Sequence, residues 1–158
     1  MTVTINGTTG ISSTGDIVTT GTGNITSAAT LTSTGNATMD ANLIADSYQE
    51  TKVDLTGTSP VVDCATGNVF AITTSGITAF QAATNVPASG TAYSFTLKIT
   101  SGGSYTVDYS LLGTNVFFAG GNAPVAPASG ETDILVFMTI DGGTTWYGAV
   151  AIDAASQI

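Results

Sequence analysis

Few side chains in this sequence are suited to chemistry, and the usual ones are missing. There is no histidine and no arginine, and Lys52 and Lys98 stand alone against eleven carboxylates. A serine or cysteine nucleophile needs a general base, most often histidine. Lys98 could substitute, but it falls among the polar members of an alternating segment, Tyr93 to Thr100. Zinc needs histidine or clustered cysteine. Cys64 is the single cysteine, so no intrachain disulfide is possible, and its flanks, Val61-Val62-Asp63 and Ala65, suit a small buried hydrophobe at or near a strand. A glycosidase needs two carboxylates across a cleft; Glu50 and Glu131 are the only glutamates, the aspartates are scattered, and spacing singles out no pair. Calcium accepts oxygen ligands alone, and Asp63 and Asp141 are candidates. No Asp-x-Asp-x-Asp loop accompanies them, and Asp141-Gly142-Gly143 is better read as a hairpin turn. The glycines form no Gly-x-Gly-x-x-Gly between a strand and a helix. The expectation is a non-enzyme with no catalytic residue, no metal and no cofactor.

Aromatic side chains offer a different chemistry, stacking on sugars. Tyr48, Tyr93, Tyr105, Tyr109, Trp146 and Tyr147 are the candidates. Most alternate with polar residues and are expected in the core, Tyr93 and Tyr105 among them. Trp146 and Tyr147 are adjacent, so in a strand they point to opposite faces. At least one is expected to be exposed or at an interface, where amphipathic aromatics are favoured.

The charge balance narrows the partners. A net charge of −9 with two lysines cannot displace counterions from phosphates, which excludes nucleic acid. The same deficit argues against an anionic membrane surface. No stretch is apolar enough to span a bilayer, and the opening Met1-Thr2-Val3-Thr4-Ile5 lacks the basic start and apolar run of a secretory signal, so synthesis in a cytoplasm is expected. Only 8% of residues are charged, against about a quarter in ordinary domains. Thr, Ser, Asn and Gly must therefore carry solubility. The matches to the glycosylation pattern at Asn6, Asn24 and Asn36 are expected by chance in so Thr-rich a chain.

The elements fall into two domains, residues 1–47 and 48–158. All twelve aromatics lie from Tyr48 onward, whereas twenty-three of the first forty residues are Thr, Ser or Gly. The first segment repeats a turn-forming pair followed by one apolar residue, as in Thr14-Gly15-Asp16-Ile17 and Thr22-Gly23-Asn24-Ile25. Such units cannot bury a core alone. They form either a flexible linker or an extended stem in which several copies wind together and share their isolated apolar residues. Ile11, Ile17, Ile25 and Leu31 are the candidates for a trimer axis in the second case. Residues 37–50 fit an extended path or a short helical turn.

The second domain is patterned for strands. Tyr93, Phe95, Leu97 and Ile99 alternate with polar residues, and Ser101-Gly102-Gly103 then leads to Tyr105, Val107 and Tyr109, which predicts a hairpin. A second hairpin is predicted from Ile134–Ile140 through Asp141-Gly142-Gly143 into Trp146–Val150. Its first strand is apolar on both faces, the mark of a central strand. Weaker strands are predicted at residues 53–55, 61–64, 69–73, 77–80 and 116–118. About eight short strands without a helix predict an all-β chain, with an antiparallel, jelly-roll-like β-sandwich at residues 48–158.

Two segments carry a resemblance. The opening Thr2-Val3-Thr4-Ile5-Asn6-Gly7-Thr8-Thr9-Gly10-Ile11, with the Thr-Gly-Asn-Ile units after it, resembles the N-terminal parts of tail-fibre-like proteins of bacteriophages, particularly those of aquatic bacteria and cyanobacteria. The stretch from Ala65-Thr66-Gly67-Asn68-Val69-Phe70 to Asp141-Gly142-Gly143-Thr144-Thr145-Trp146-Tyr147-Gly148 resembles a β-rich module of phage virion proteins. The resemblance implies a structural protein on the virion exterior, usually a homotrimer, that contacts other virion proteins of capsid or tail and carries no cofactor. At 158 residues the chain is short for a fibre, which keeps a capsid decoration protein or short head fibre as the alternative. A carbohydrate-binding receptor module for a host surface glycan and an enzyme that cuts surface polysaccharide are the rivals from other classes.

Overall fold

The computed structural model describes residues 46–156 apart from 75, 77, 104 and 105. The axis candidates Ile11, Ile17, Ile25 and Leu31, the rest of the expected stem, and Tyr105 lie outside the described residues. The described residues belong to one compact unit, Asp46–Ile158.

Eight strands build it: β1 (Lys52–Asp54), β2 (Val69–Thr74), β3 (Thr78–Ala79), β4 (Tyr93–Ser101), β5 (Val107–Asp108), β6 (Asn115–Phe118), β7 (Thr132–Thr139) and β8 (Thr145–Ala155). The only helical piece among the described residues is a 3₁₀ turn at Ala119–Gly121. The described residues are thus almost entirely strand and loop, the all-β character that their patterning predicts. Six strands form one sheet in the order β1-β2-β4-β7-β8-β6, and β3 and β5 form a short parallel ladder.

That sheet is mixed, which corrects the expectation of an antiparallel fold. The pairs β4–β7 and β7–β8 are antiparallel, whereas β1–β2, β2–β4 and β6–β8 are parallel. The hairpin predicted from Tyr93 to Tyr109 does not form. Both edges of β4 are taken, by β2 and β7, and at Ser101 the chain leaves the sheet. There the Gly102 N–H bonds the Thr74 carbonyl at 2.6 Å, and residues 106–112 run instead beside residues 78–83. Alternation marks which side chains are buried; it carries nothing about which strand lies alongside. Residues 61–64 are likewise not a strand, but Asp63 bridges to Thr84. The hairpin at residues 134–150 forms as β7–β8. Its turn is held by the Thr139 hydroxyl, which accepts the Gly143 N–H at 3.1 Å and donates to Asp141 Oδ1 at 3.0 Å.

One face of the sheet is covered. Phe70, Ile72, Phe95, Leu97, Ile99, Leu135, Phe137 and Trp146 turn inward and share a core with Val62, Phe80, Tyr109 and Leu112. These last four come from three extended segments linked by backbone bonds, such as Phe80 N–H to Asp108 O at 2.9 Å and Gln81 N–H to Pro60 O at 3.0 Å. Aromatic packing ties the layer to the sheet: Tyr109 stands 5.7 Å from Phe137 and 5.6 Å from Phe80. Trp146 meets Phe95 edge-on at 5.3 Å, a favoured geometry for aromatic pairs.

Candidate assembly face and polar depression

Among the described residues nothing covers the opposite face of the same sheet. Register places its side chains in rows across the strands. One row runs Phe117, Tyr147, Met138, Ser94; the next contains Ala149, Val136 and Thr96; a third runs Ile152, Ile134, Lys98, Ala71, Asp54. On β6, β8 and β7 these residues are apolar. Phe117 and Tyr147 are each 52% exposed, Ile152 46%, Met138 43% and Val136 38%. The Phe117 and Tyr147 rings lie side by side, 5.7 Å apart and inclined by 21°. Single exposed apolar residues are ordinary, but a contiguous patch on a sheet marks a contact surface.

Of the two aromatics singled out by sequence, Tyr147 belongs to this face and Trp146 does not. Trp146 is fully buried, because β8 turns it toward Phe95 and Tyr93. It is no candidate for stacking on a sugar. Phe117, Met138 and Val136 escape a sequence reading as surface residues. The signal for Val136 and Met138 is the two-sided apolar pattern of residues 134–140, which by itself suggests a strand covered on both sides; Phe117, beside Phe118 on β6, carries no such signal.

Toward β4, β2 and β1 the open face becomes polar. Ala71, on the middle strand, is flanked in register by Asp54 on β1 and Lys98 on β4. Its small side chain leaves a depression of about 430 Å³ lined also by Lys52, Thr73 and Thr100. Lys52 pairs with Asp54 at 2.5 Å, and both are exposed.

The remaining chemical candidates are held by their own surroundings. Cys64 is half-buried, and burial pushes its thiol up, with the Asp63 charge adding to this against the Tyr93 hydroxyl. Burial likewise raises the Tyr93 phenol, whose hydroxyl donates to the Gly67 carbonyl at 2.5 Å. Asp63 is lowered by the Asn85 side-chain amide and then by the Ala65 N–H. Asp141 is lowered chiefly by the Thr145 N–H, bonded at 2.9 Å. Among the described residues no three acidic or thiol side chains gather to hold a metal ion. Asp133 is the exception to surface placement. It is buried, and its carboxyl is raised by that burial, then by the charges of Asp153 and Glu131, against the lowering effect of the Ala154 N–H bonded at 2.8 Å.

No family model matches the chain, and no curated protein or solved structure matches it significantly. The surface itself must carry the functional reading.

Proposed function

We propose that the chain is a non-enzymatic structural protein of a bacteriophage particle, a homotrimeric component of the virion exterior such as a tail-fibre-like appendage. In this reading residues 1–47 form the shared stem and the rest a sandwich-like head, whose open sheet face is covered by another copy over its apolar half, β6, β8 and β7, and left accessible over β1, β2 and β4. The observation that carries it is the two-sided apolar character of β7. Ile134, Val136 and Met138 are apolar on the open side while Leu135 and Phe137 fill the core on the other. Strands apolar on both faces are normally buried on both. A covering layer from a second chain would gain about 25 cal/mol for each Å² of apolar surface it buries. Capsid decoration is the same assembly chemistry at another place on the particle. Light scattering on the full chain tests the core of the proposal: a mass three times the 15.7 kDa of one chain is expected, and a monomer at micromolar concentration refutes it. Imaging of intact particles would then separate capsid from tail.

A carbohydrate-binding module is the second reading, and the exposed Phe117–Tyr147 pair favours it. Two rings side by side on a sheet can take the flat face of a sugar. Binding of a neutral oligosaccharide lost in Tyr147→Ala, with the mass unchanged, would support it over assembly at this face.

A further inference from the structure

We infer that the depression over Ala71 is a binding site for a carboxylate-bearing sugar, such as a uronic acid residue of an acidic glycan. Both basic side chains of a chain with net charge −9 line this one cavity. No other side chain of the chain is basic; here two lysines stand against one carboxylate, Asp54. The shape follows from the sequence. Strands β1 and β4 lie two spacings apart, about 10 Å, and Ala71 between them is too short to fill the gap. Asp54 fixes the Lys52 ammonium at 2.5 and 2.7 Å. Lys98 makes no ion pair among the described residues, so its charge is free for a ligand.

The rest of the lining narrows the class. Asp54 can accept from ligand hydroxyls, and the Thr73 and Thr100 hydroxyls can donate or accept. A ligand that presents one carboxylate among several hydroxyls uses both sets. A phosphate brings more negative charge into the depression beside Asp54, at higher electrostatic cost. A neutral sugar leaves Lys98 without a role. The site lies on the β1–β2–β4 half of the face, apart from the Phe117–Tyr147 row, and does not depend on the assembly reading.

The test is an amide-resolved NMR titration of the full chain with sodium glucuronate, glucose and acetate in parallel. Glucuronate is expected to give saturable shifts at Ala71, Thr73 and Lys98, with glucose and acetate at least about tenfold weaker. Lys98→Gln should weaken glucuronate about tenfold, as should raising salt to about 0.5 M. Ala71→Val keeps both charges and fills the floor, so it should abolish binding; its dispersed amide spectrum reports that it is folded. Equal binding of glucose or of acetate overturns the inference, as does wild-type affinity in either variant or no saturation by about 50 mM, far above a millimolar constant. A fall in oligomer mass in Lys98→Gln with no change in glucuronate affinity would assign the lysine to a contact between copies and also overturn it.

Discussion

Gly113 lies against Trp146 with no room for a side chain between them. A Cβ on Gly113 would stand 2.6 Å from the indole Cδ1 and 2.5 Å from the carbonyl oxygen of Gly143. The indole is fully buried against Phe95 and Tyr93 and cannot retreat. The Gly143 carbonyl belongs to the backbone of the β7–β8 turn. Gly113→Ala should therefore destabilise the domain by about 1–3 kcal/mol, the usual cost of overpacking. Chemical denaturation measures it. Gly76, where a Cβ would meet nothing within 4 Å, is the control: Gly76→Ala should change stability by less than about 0.5 kcal/mol.

The same turn depends on one hydroxyl. Thr139 is fully buried, and its Oγ1 serves both the Gly143 N–H and Asp141. Thr139→Val keeps the shape and the β-branch but leaves the Gly143 donor unpaired. A loss of about 1–3 kcal/mol is expected, with faster hydrogen exchange at the Gly143 amide. Unchanged exchange there would show that the turn holds without the hydroxyl.

Asp133 should make stability fall as pH rises. Its carboxyl is raised, so its contribution is fully present below the unfolded value of about 3.9 and is lost as pH climbs through the folded value. Asp63, Asp108 and Asp141 are lowered and act oppositely, losing their contribution as pH falls. The difference between wild type and Asp133→Asn isolates Asp133. The asparagine oxygen can still accept the Ala154 N–H. The variant should melt higher than wild type at pH 7, and the gap should close near pH 3.5, below the unfolded value of about 3.9. A gap constant with pH would mean that the carboxyl is ionised to the same extent in both states.

How far the sequence could be read depends on what each pattern encodes. Alternation at Tyr93–Ile99 reported burial correctly, because burial is a property of single positions. It misjudged the partner, because pairing β4 with β2 and β7 is decided by residues 27 to 46 positions away in the chain. Asp141-Gly142-Gly143 was legible as a turn because its chemistry is local: a carboxylate that caps N–H groups, with Gly142 and Gly143 at φ +72° and +81°. Trp146 and Tyr147 were separable in principle by face but not in sign. Which of the two meets the core is set by β8 lying between β7 and β6. The depression over Ala71 was invisible, since Asp54, Ala71 and Lys98 come from three strands and meet only through parallel register.

Met138 sits in the open row between Tyr147 and Ser94. Met138→Glu adds one exposed charge and removes no core contact that the monomer needs. Its effect on unfolding of an isolated chain should stay within about 0.5 kcal/mol. At an interface between copies the outcome differs. Each copy would bring a new carboxylate into an apolar contact without a cation, and burying an unpaired charge costs far more than the contact returns. The chain is already acidic, so the added charges also repel across the contact. Light scattering of the wild type should give the oligomer and that of Met138→Glu the single 15.7 kDa chain, with the same circular dichroism. An oligomer that survives the substitution would move the contact off this face, onto residues 1–47 or another surface, while leaving the assembly itself intact.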